Sequence, residues 1–170
     1  KDPNLAKCAK RKDFGQGFYL TTSKEQAESF LRTSIAKAIA TGTIEEGQKF
    51  GYISTFEFKP SGKLEMHIFE NADVNWLHCI AAHRKKKMFI EVECEMAKYD
   101  IIAGKIADDA TNATLTAYLA GAFGTAGDKV ADDFCIRQLL PNKLKDQYCF
   151  KTEAAINCLK FVKGEKIWLK

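Results

Sequence analysis

Asp13-Phe14-Gly15-Gln16-Gly17-Phe18-Tyr19-Leu20-Thr21-Thr22 is the stretch best suited to chemistry. Two glycines interrupt an aromatic run. Glycine tolerates backbone conformations closed to other residues and lets a ligand approach the main chain. Phe18 to Thr21 reads as a short strand. Ser23-Lys24-Glu25-Gln26 follows with capping-box spacing, and Ala27, Phe30, Leu31, Ile35 and Ala38 recur with helical period. The order is therefore glycine loop, strand, capped helix. Tyr19 sits on the strand, and Phe30 sits on the second turn of a helix that folds back. Such a pair is either two inward core aromatics or two faces of a ring-binding slot. Late in the chain, Gln147 stands in Asp146-Gln147-Tyr148. An amide can hydrogen-bond a hydroxyl but cannot act as a base near neutral pH. Asp108 and Asp109 are adjacent, and neighbours on a strand point to opposite faces, so they do not form a converging acid pair.

Metal chemistry has little to build on. None of the six cysteines forms a CxxC pair, and most lie inside apolar patterns, which suggests buried thiols of a reducing compartment. His67, His78 and His83 are scattered, and the last two are five residues apart, a poor spacing for one helix face. No metal is expected. A length of 170 residues points to a single domain spanning 1–170, and 46% apolar residues suffice for a core. A net charge of +4 does not by itself indicate a nucleic-acid partner. No apolar run approaches a membrane span and no signal peptide is visible, so a cytoplasmic protein without a membrane partner is expected.

The elements that must position these residues follow from periodicity. The first helix should run from Ser23 to about Ala40 and stop at Thr41-Gly42. Lys49 to Lys59 alternates as a strand. After a turn at Pro60-Ser61-Gly62, Leu64, Met66 and Ile68 suggest a second strand paired with it. Asn71 to Arg84 reads as a helix with Val74, Leu77, Ile80 and Ala81 inward. Arg84-Lys85-Lys86-Lys87 reads as its solvated end, favourable against the helix dipole. Ile90, Val92, Cys94 and Met96 alternate with Glu91, Glu93 and Glu95, suggesting an acidic edge strand. Tyr99 to Ala107 reads as a buried strand, closed by Asp108 and Asp109. Helices are expected from Ala110 to Phe123, from Asp128 to Leu140 before Pro141-Asn142, and from a Thr152 cap to about Leu159. Phe161-Val162 and Ile167-Trp168, around Lys163-Gly164-Glu165-Lys166, suggest a terminal hairpin. Strand pairs without strict β-α-β alternation indicate an α+β fold.

Three blocks carry a resemblance: Asp13–Thr21, Tyr99–Asp109 and Asp146–Thr152. In this order they resemble a bacterial family of uncharacterised domains in the ADP-ribosyltransferase superfamily. The glycine-tyrosine strand, followed by a helix with an aromatic eleven positions after Tyr19, resembles the diphtheria-toxin-like and poly-ADP-ribose-polymerase branch, whose signature is His, Tyr, Glu. The resemblance implies two packed antiparallel-rich sheets with flanking helices and a central NAD cleft. It implies that Tyr19 and Phe30 sandwich nicotinamide, a cationic ring suited to π faces. Asp13, Gly15, Gly17 and Thr21 would join them in binding NAD, with Tyr19 and Gln147 at catalytic positions. Gln147 replaces the usual glutamate, Ala27 stands where the polymerases carry serine, and no His-Gly pair occurs, so the family's opening strand is either cut off before Lys1 or lost in this copy. The implied activity is mono-ADP-ribosyl transfer to a macromolecule or slow NAD hydrolysis. Its setting would be a toxin–antitoxin-like operon with a small antitoxin partner; a nucleic-acid target stays open. The alternative is a non-catalytic nucleotide- or protein-binding module.

Overall fold

A computed structural model describes residues 3–107, 109–139 and 144–169. After a 3-10 turn at Leu5–Lys7, the elements in chain order are β1 (Phe18–Thr21), α1 (Lys24–Ala40), β2 (Phe50–Phe58), β3 (Met66–Ile68), α2 (Val74–Arg84), α3 (Ile90–Met96), β4 (Ile101–Lys105), α4 (Asp109–Leu119), α5 (Lys129–Leu139), β5 (Asp146–Phe150), α6 (Glu153–Ile156) and β6 (Leu159–Trp168). The fold is α+β, with a four-stranded sheet in the order β1-β5-β4-β3 and a two-stranded sheet of β2 and β6. Two caps act where the sequence places them: the Ser23 hydroxyl accepts from the Gln26 amide and Thr152 from Ala155. The helix expected from Asn71 starts at Val74, where Asp73 accepts from the Trp76 amide. Asp108, Leu140, Pro141 and Asn142, assigned above to helix boundaries, lie outside the described residues.

The four-stranded sheet has a core on each face because successive strand residues point opposite ways. Ile102 and Cys149 face the larger core, which centres on α2 and includes Phe14, Trp76, Leu77, Ile80, Leu115 and Tyr118. Ile101 and Phe150 face a smaller core with Ala155 and Ile156, joined by Phe18, Leu20 and Phe58. Helix α2 is buried on several sides through Trp76, Leu77, Cys79, Ile80, Ala81 and Ala82. Two edge-to-face ring pairs link the sheets, Phe18 with Phe56 and Phe58 with Phe150.

Three expectations are overturned. Met66–Ile68 pairs in parallel with β4, not with β2. A parallel pair needs a crossover connection, which α2 and α3 supply. Strand β2 instead pairs along its whole length with β6, a far longer ladder than three residues could offer. That pairing removes the expected terminal hairpin. Gly164 lies opposite Ser54 inside one continuous strand, and a bulge between Thr55 and Phe56 leaves Val162 without a partner. Residues Ile90–Met96 form a helix, not an acidic edge strand. Phe89, Val92, Met96 and Tyr99 meet the core at helical spacing, and Glu91 and Glu93 occupy the first turn, where the dipole favours acids.

Glycine is required where backbone meets backbone. A Cβ on Gly17 would collide with Cys149 Sγ and stand 2.8 Å from the Phe150 carbonyl oxygen. The second of these belongs to a buried strand and cannot swing aside. Gly17→Ala should therefore cost about 1–3 kcal/mol of stability, typical of overpacking. Urea unfolding of the variant beside wild type measures this; an unchanged midpoint would show that the loop can lift off β5 without loss.

Candidate functional site

The β1 and β5 backbones set the geometry around the first block. Tyr19 lies opposite Cys149, and Thr21 lies opposite Gln147. On the other side of β5, Gln147 lies opposite Gly104. Gln147 and Cys149 therefore share the face of the sheet that carries the larger core. Above this face runs the loop holding Asp13, and the polar groups converge there.

Asp13 is the hub. Its Oδ1 accepts from Arg84 Nε at 2.9 Å and Nη2 at 2.6 Å. Its Oδ2 accepts from Gln147 Nε2 at 2.8 Å and the Ala107 amide at 3.2 Å. Arg84 Nη2 also reaches the Ala107 carbonyl at 3.2 Å, and Nη1 donates to Asn112 Oδ1 at 2.9 Å. The Asp13 and Arg84 side chains are 9% and 18% exposed. Such a pair survives burial because both Asp13 oxygens are met by donors and each Arg84 nitrogen has a protein acceptor. One member of each resemblance block meets here: Asp13, Ala107 and Gln147. Arg84 joins them from α2. It was read above as part of a solvated cationic end, but only Lys85, Lys86 and Lys87 are exposed. Arg84 continues the inward row Leu77, Ile80 and Ala81, a spacing that marks it in the sequence as a core-facing cation.

Tyr19 packs against the larger core, and its hydroxyl staples the glycine loop. It donates to the Gly15 carbonyl at 2.8 Å and accepts from the Phe14 amide at 2.9 Å. Burial, with Cys149 nearby, pushes its phenol well above the ordinary tyrosine range. Gly15 adopts a φ of +84°, and a Cβ there would lie 2.6 Å from the His83 ring. The two glycines thus let the loop approach α2 and β5. Thr21 Oγ1 donates to the Asp146 carbonyl at 2.8 Å and accepts from the Ser23 amide at 3.1 Å. Phe30 is 62% exposed on α1, and among the described residues it makes no ring contact with Tyr19 or any other aromatic. Gln147 donates Nε2 to Asp13 and, at 3.3 Å, to the Lys105 carbonyl.

The cysteines divide. Cys79, Cys135 and Cys149 are buried, and burial raises each thiol to about 12, away from nucleophilic chemistry. Cys94 is exposed, against the expectation of a buried thiol, because its segment is a helix and it falls on the outer face. Among the described residues, no group of three or more His, Cys, Asp and Glu could hold a metal ion, and no helix is long and apolar enough to cross a membrane. A second buried carboxylate, Asp132, was missed in the sequence. It bonds His78 Nε2 at 2.6 Å and the Tyr118 hydroxyl. Its signal was an acid on the inward row of α5 with Cys135 and Leu139.

Two measurements follow. Removing one partner of a buried ion pair leaves the other unpaired, so Asp13→Ala should cost about 3–5 kcal/mol. In a double-mutant cycle with Arg84→Met, the two losses should fall well short of adding; additive losses would mean the pair is not coupled. The second concerns His83, whose Nδ1 lies 2.8 Å from the Cys79 carbonyl. Burial holds this imidazole below the ordinary histidine value. The unfolded chain then takes up a proton near pH 6.5 while the folded chain does not. The stabilisation from a neutral His83 is complete above about pH 6.5 and is lost as pH falls toward the folded value. Urea unfolding between about pH 7.5 and 5.5 should show stability falling, and His83→Gln should flatten part of that slope. An identical slope would assign the titration elsewhere.

No curated protein and no solved structure matches the chain. A family model described as "Protein of unknown function (DUF3990)" matches residues 1–161. The polar junction of Asp13, Arg84, Ala107 and Gln147 thus lies within the matched span, and the chain belongs to the DUF3990 family.

Proposed function

We propose that this chain is an ADP-ribosyltransferase-like domain that takes NAD as a substrate. It would transfer a single ADP-ribosyl group to a macromolecule or slowly hydrolyse NAD, in the cytoplasm and beside a small partner protein. One observation carries the reading: Asp13, Ala107 and Gln147, one from each of the three blocks that resemble that superfamily, meet at one buried junction. Tyr19 lies on the neighbouring strand, on the same face of the sheet.

Release of nicotinamide passes through an oxocarbenium-like state that negative charge stabilises. Gln147 offers no such charge. Its amide protons are held by Asp13 and Lys105, so its contribution is Oε1, an acceptor for a ribose hydroxyl. The role left to it is orientation, which is why turnover should be slow. Restoring the carboxylate by Gln147→Glu would set it against Asp13, where like charges repel. Phe30 supplies an exposed ring to cover nicotinamide laid against β1. The second reading is a binding module without catalysis, favoured by the same closed junction, since Asp13 spends both oxygens on protein donors.

The test uses the chain with NAD labelled on nicotinamide, in calorimetry and in a release assay with cell lysate. NAD should bind, and slow nicotinamide release should accompany labelling of a macromolecule. Phe30→Ala, at an exposed position, should leave the melting temperature unchanged and weaken NAD roughly tenfold, the worth of one stacking contact. NAD binding without release supports the binding module. No NAD binding, or equal affinity in Phe30→Ala, removes the nicotinamide slot.

A further inference from the structure

A cavity of about 600 Å³ lies at the other edge of the four-stranded sheet, between β3, the start of α2 and α3. Strands β5 and β4 separate β3 from β1, so it stands roughly 14 Å across the sheet from Tyr19. We propose that this cavity binds an organic cation, a guanidinium or ammonium on an apolar stem, with His78 as its hydrogen-bond acceptor. The inference rests on this cavity alone and not on the NAD reading.

The acceptor is built from a buried carboxylate outward. Asp132 is 2% exposed. Its Oδ1 accepts from the Tyr118 hydroxyl and, at 3.1 Å, from the Gly127 amide. Its Oδ2 faces His78 Nε2 at 2.6 Å. A buried carboxylate is an acceptor only, so His78 Nε2 carries a proton toward it and Nδ1 is the ring nitrogen left for a ligand. The ring is clamped by Phe89, stacked at 4.1 Å and 16°. Nδ1 has no partner among the described residues, and no buried side-chain nitrogen or oxygen there lacks one. Nδ1 therefore keeps solvent contact, and His78 lines the cavity.

The lining sets the ligand class. Phe69, Val92 and Met96 supply apolar surface. Glu70, Asp73, Glu91 and Glu95 supply carboxylates, and among the described residues no lysine or arginine lines the cavity. Lys98 neutralises Glu95, and Asp73 spends one oxygen on the Trp76 amide. Glu70 and Glu91 remain as exposed anions. His67, the other titratable group on the lining, is turned against Phe69 and Tyr99. Negative potential over an apolar floor, with an imidazole nitrogen held in place at its side, suits a cation with a hydrocarbon stem.

The probe is agmatine, which carries a guanidinium and an ammonium on one hydrocarbon stem, with pentanoate as an anion on a stem of similar length, titrated into the full chain by calorimetry and by ¹⁵N detection of the imidazoles. Agmatine should bind saturably and pentanoate should not. His78 should show the Nε2-protonated tautomer and shift on agmatine addition. His78→Gln should weaken binding roughly tenfold, the worth of a charged hydrogen bond. Glu91→Gln, at an exposed side chain, should weaken it several-fold while leaving the fold intact. Asp132→Asn should both weaken binding and mix the two His78 tautomers, which loss of packing alone would not do. Absence of saturable agmatine binding by folded protein, tighter pentanoate binding, or binding indifferent to Glu91→Gln with an unshifted His78 would overturn the proposal.

Discussion

The carboxylate of Asp13 is the constraint on which the arrangement around β1 depends. A buried negative charge must be met on both oxygens. Here the partners come from α2 (Arg84), from two residues beyond β4 (Ala107) and from β5 (Gln147). Each of these elements is placed by apolar packing, but the relative position of the glycine loop is set by this one group. Gly15 and Gly17 are the steric counterpart, because only a loop without side chains there could bring Asp13 down onto the sheet. Tyr19 completes the arrangement by holding the Phe14 amide and the Gly15 carbonyl with one hydroxyl.

The two buried carboxylates play different parts. Asp13 is enclosed by protein donors and fixes segments far apart in the chain. Asp132 is equally enclosed on its own oxygens, but one donor is an imidazole whose second nitrogen remains accessible. The first organises structure around the strand expected to meet NAD. The second passes its orientation to a group that lines a cavity. Buried polar networks of either kind are costly unless complete, and both are complete among the described residues.

The β2 and β6 ribbon is held differently. Its near end joins the smaller core through Phe56 and Phe58. Its far end keeps Tyr52 and Trp168 exposed, with Lys166 over the Phe50 and Trp168 rings. Helix α1 packs on this ribbon where Gly51 admits Leu31 and Ile35, and no α1 residue is buried. Phe30 therefore stands on a loosely covered layer, while Tyr19 stands in the tightly packed one.

Local signals in the sequence determined most elements and their caps. Ser23, Thr152 and the alternation of residues 50–58 act through neighbours within a turn or a strand, so a short window contains the whole cause. The same window misread Ile90–Met96, because alternation and helical spacing share Val92 and Met96, and only packing against α2 chooses between them. It misread 163–166 as a turn because nothing local reveals that β2 lies alongside. The three blocks were legible, but their meeting was not. Asp13 is 71 residues from Arg84 and 134 from Gln147, and no pattern within either segment records the other. Chain order determined which groups were available for the site; the tertiary structure decided that Gln147 turns to Asp13, that Phe30 faces solvent and that His78 faces a cavity. Partners for buried charge are selected by proximity in space, and proximity is fixed only once the cores have packed.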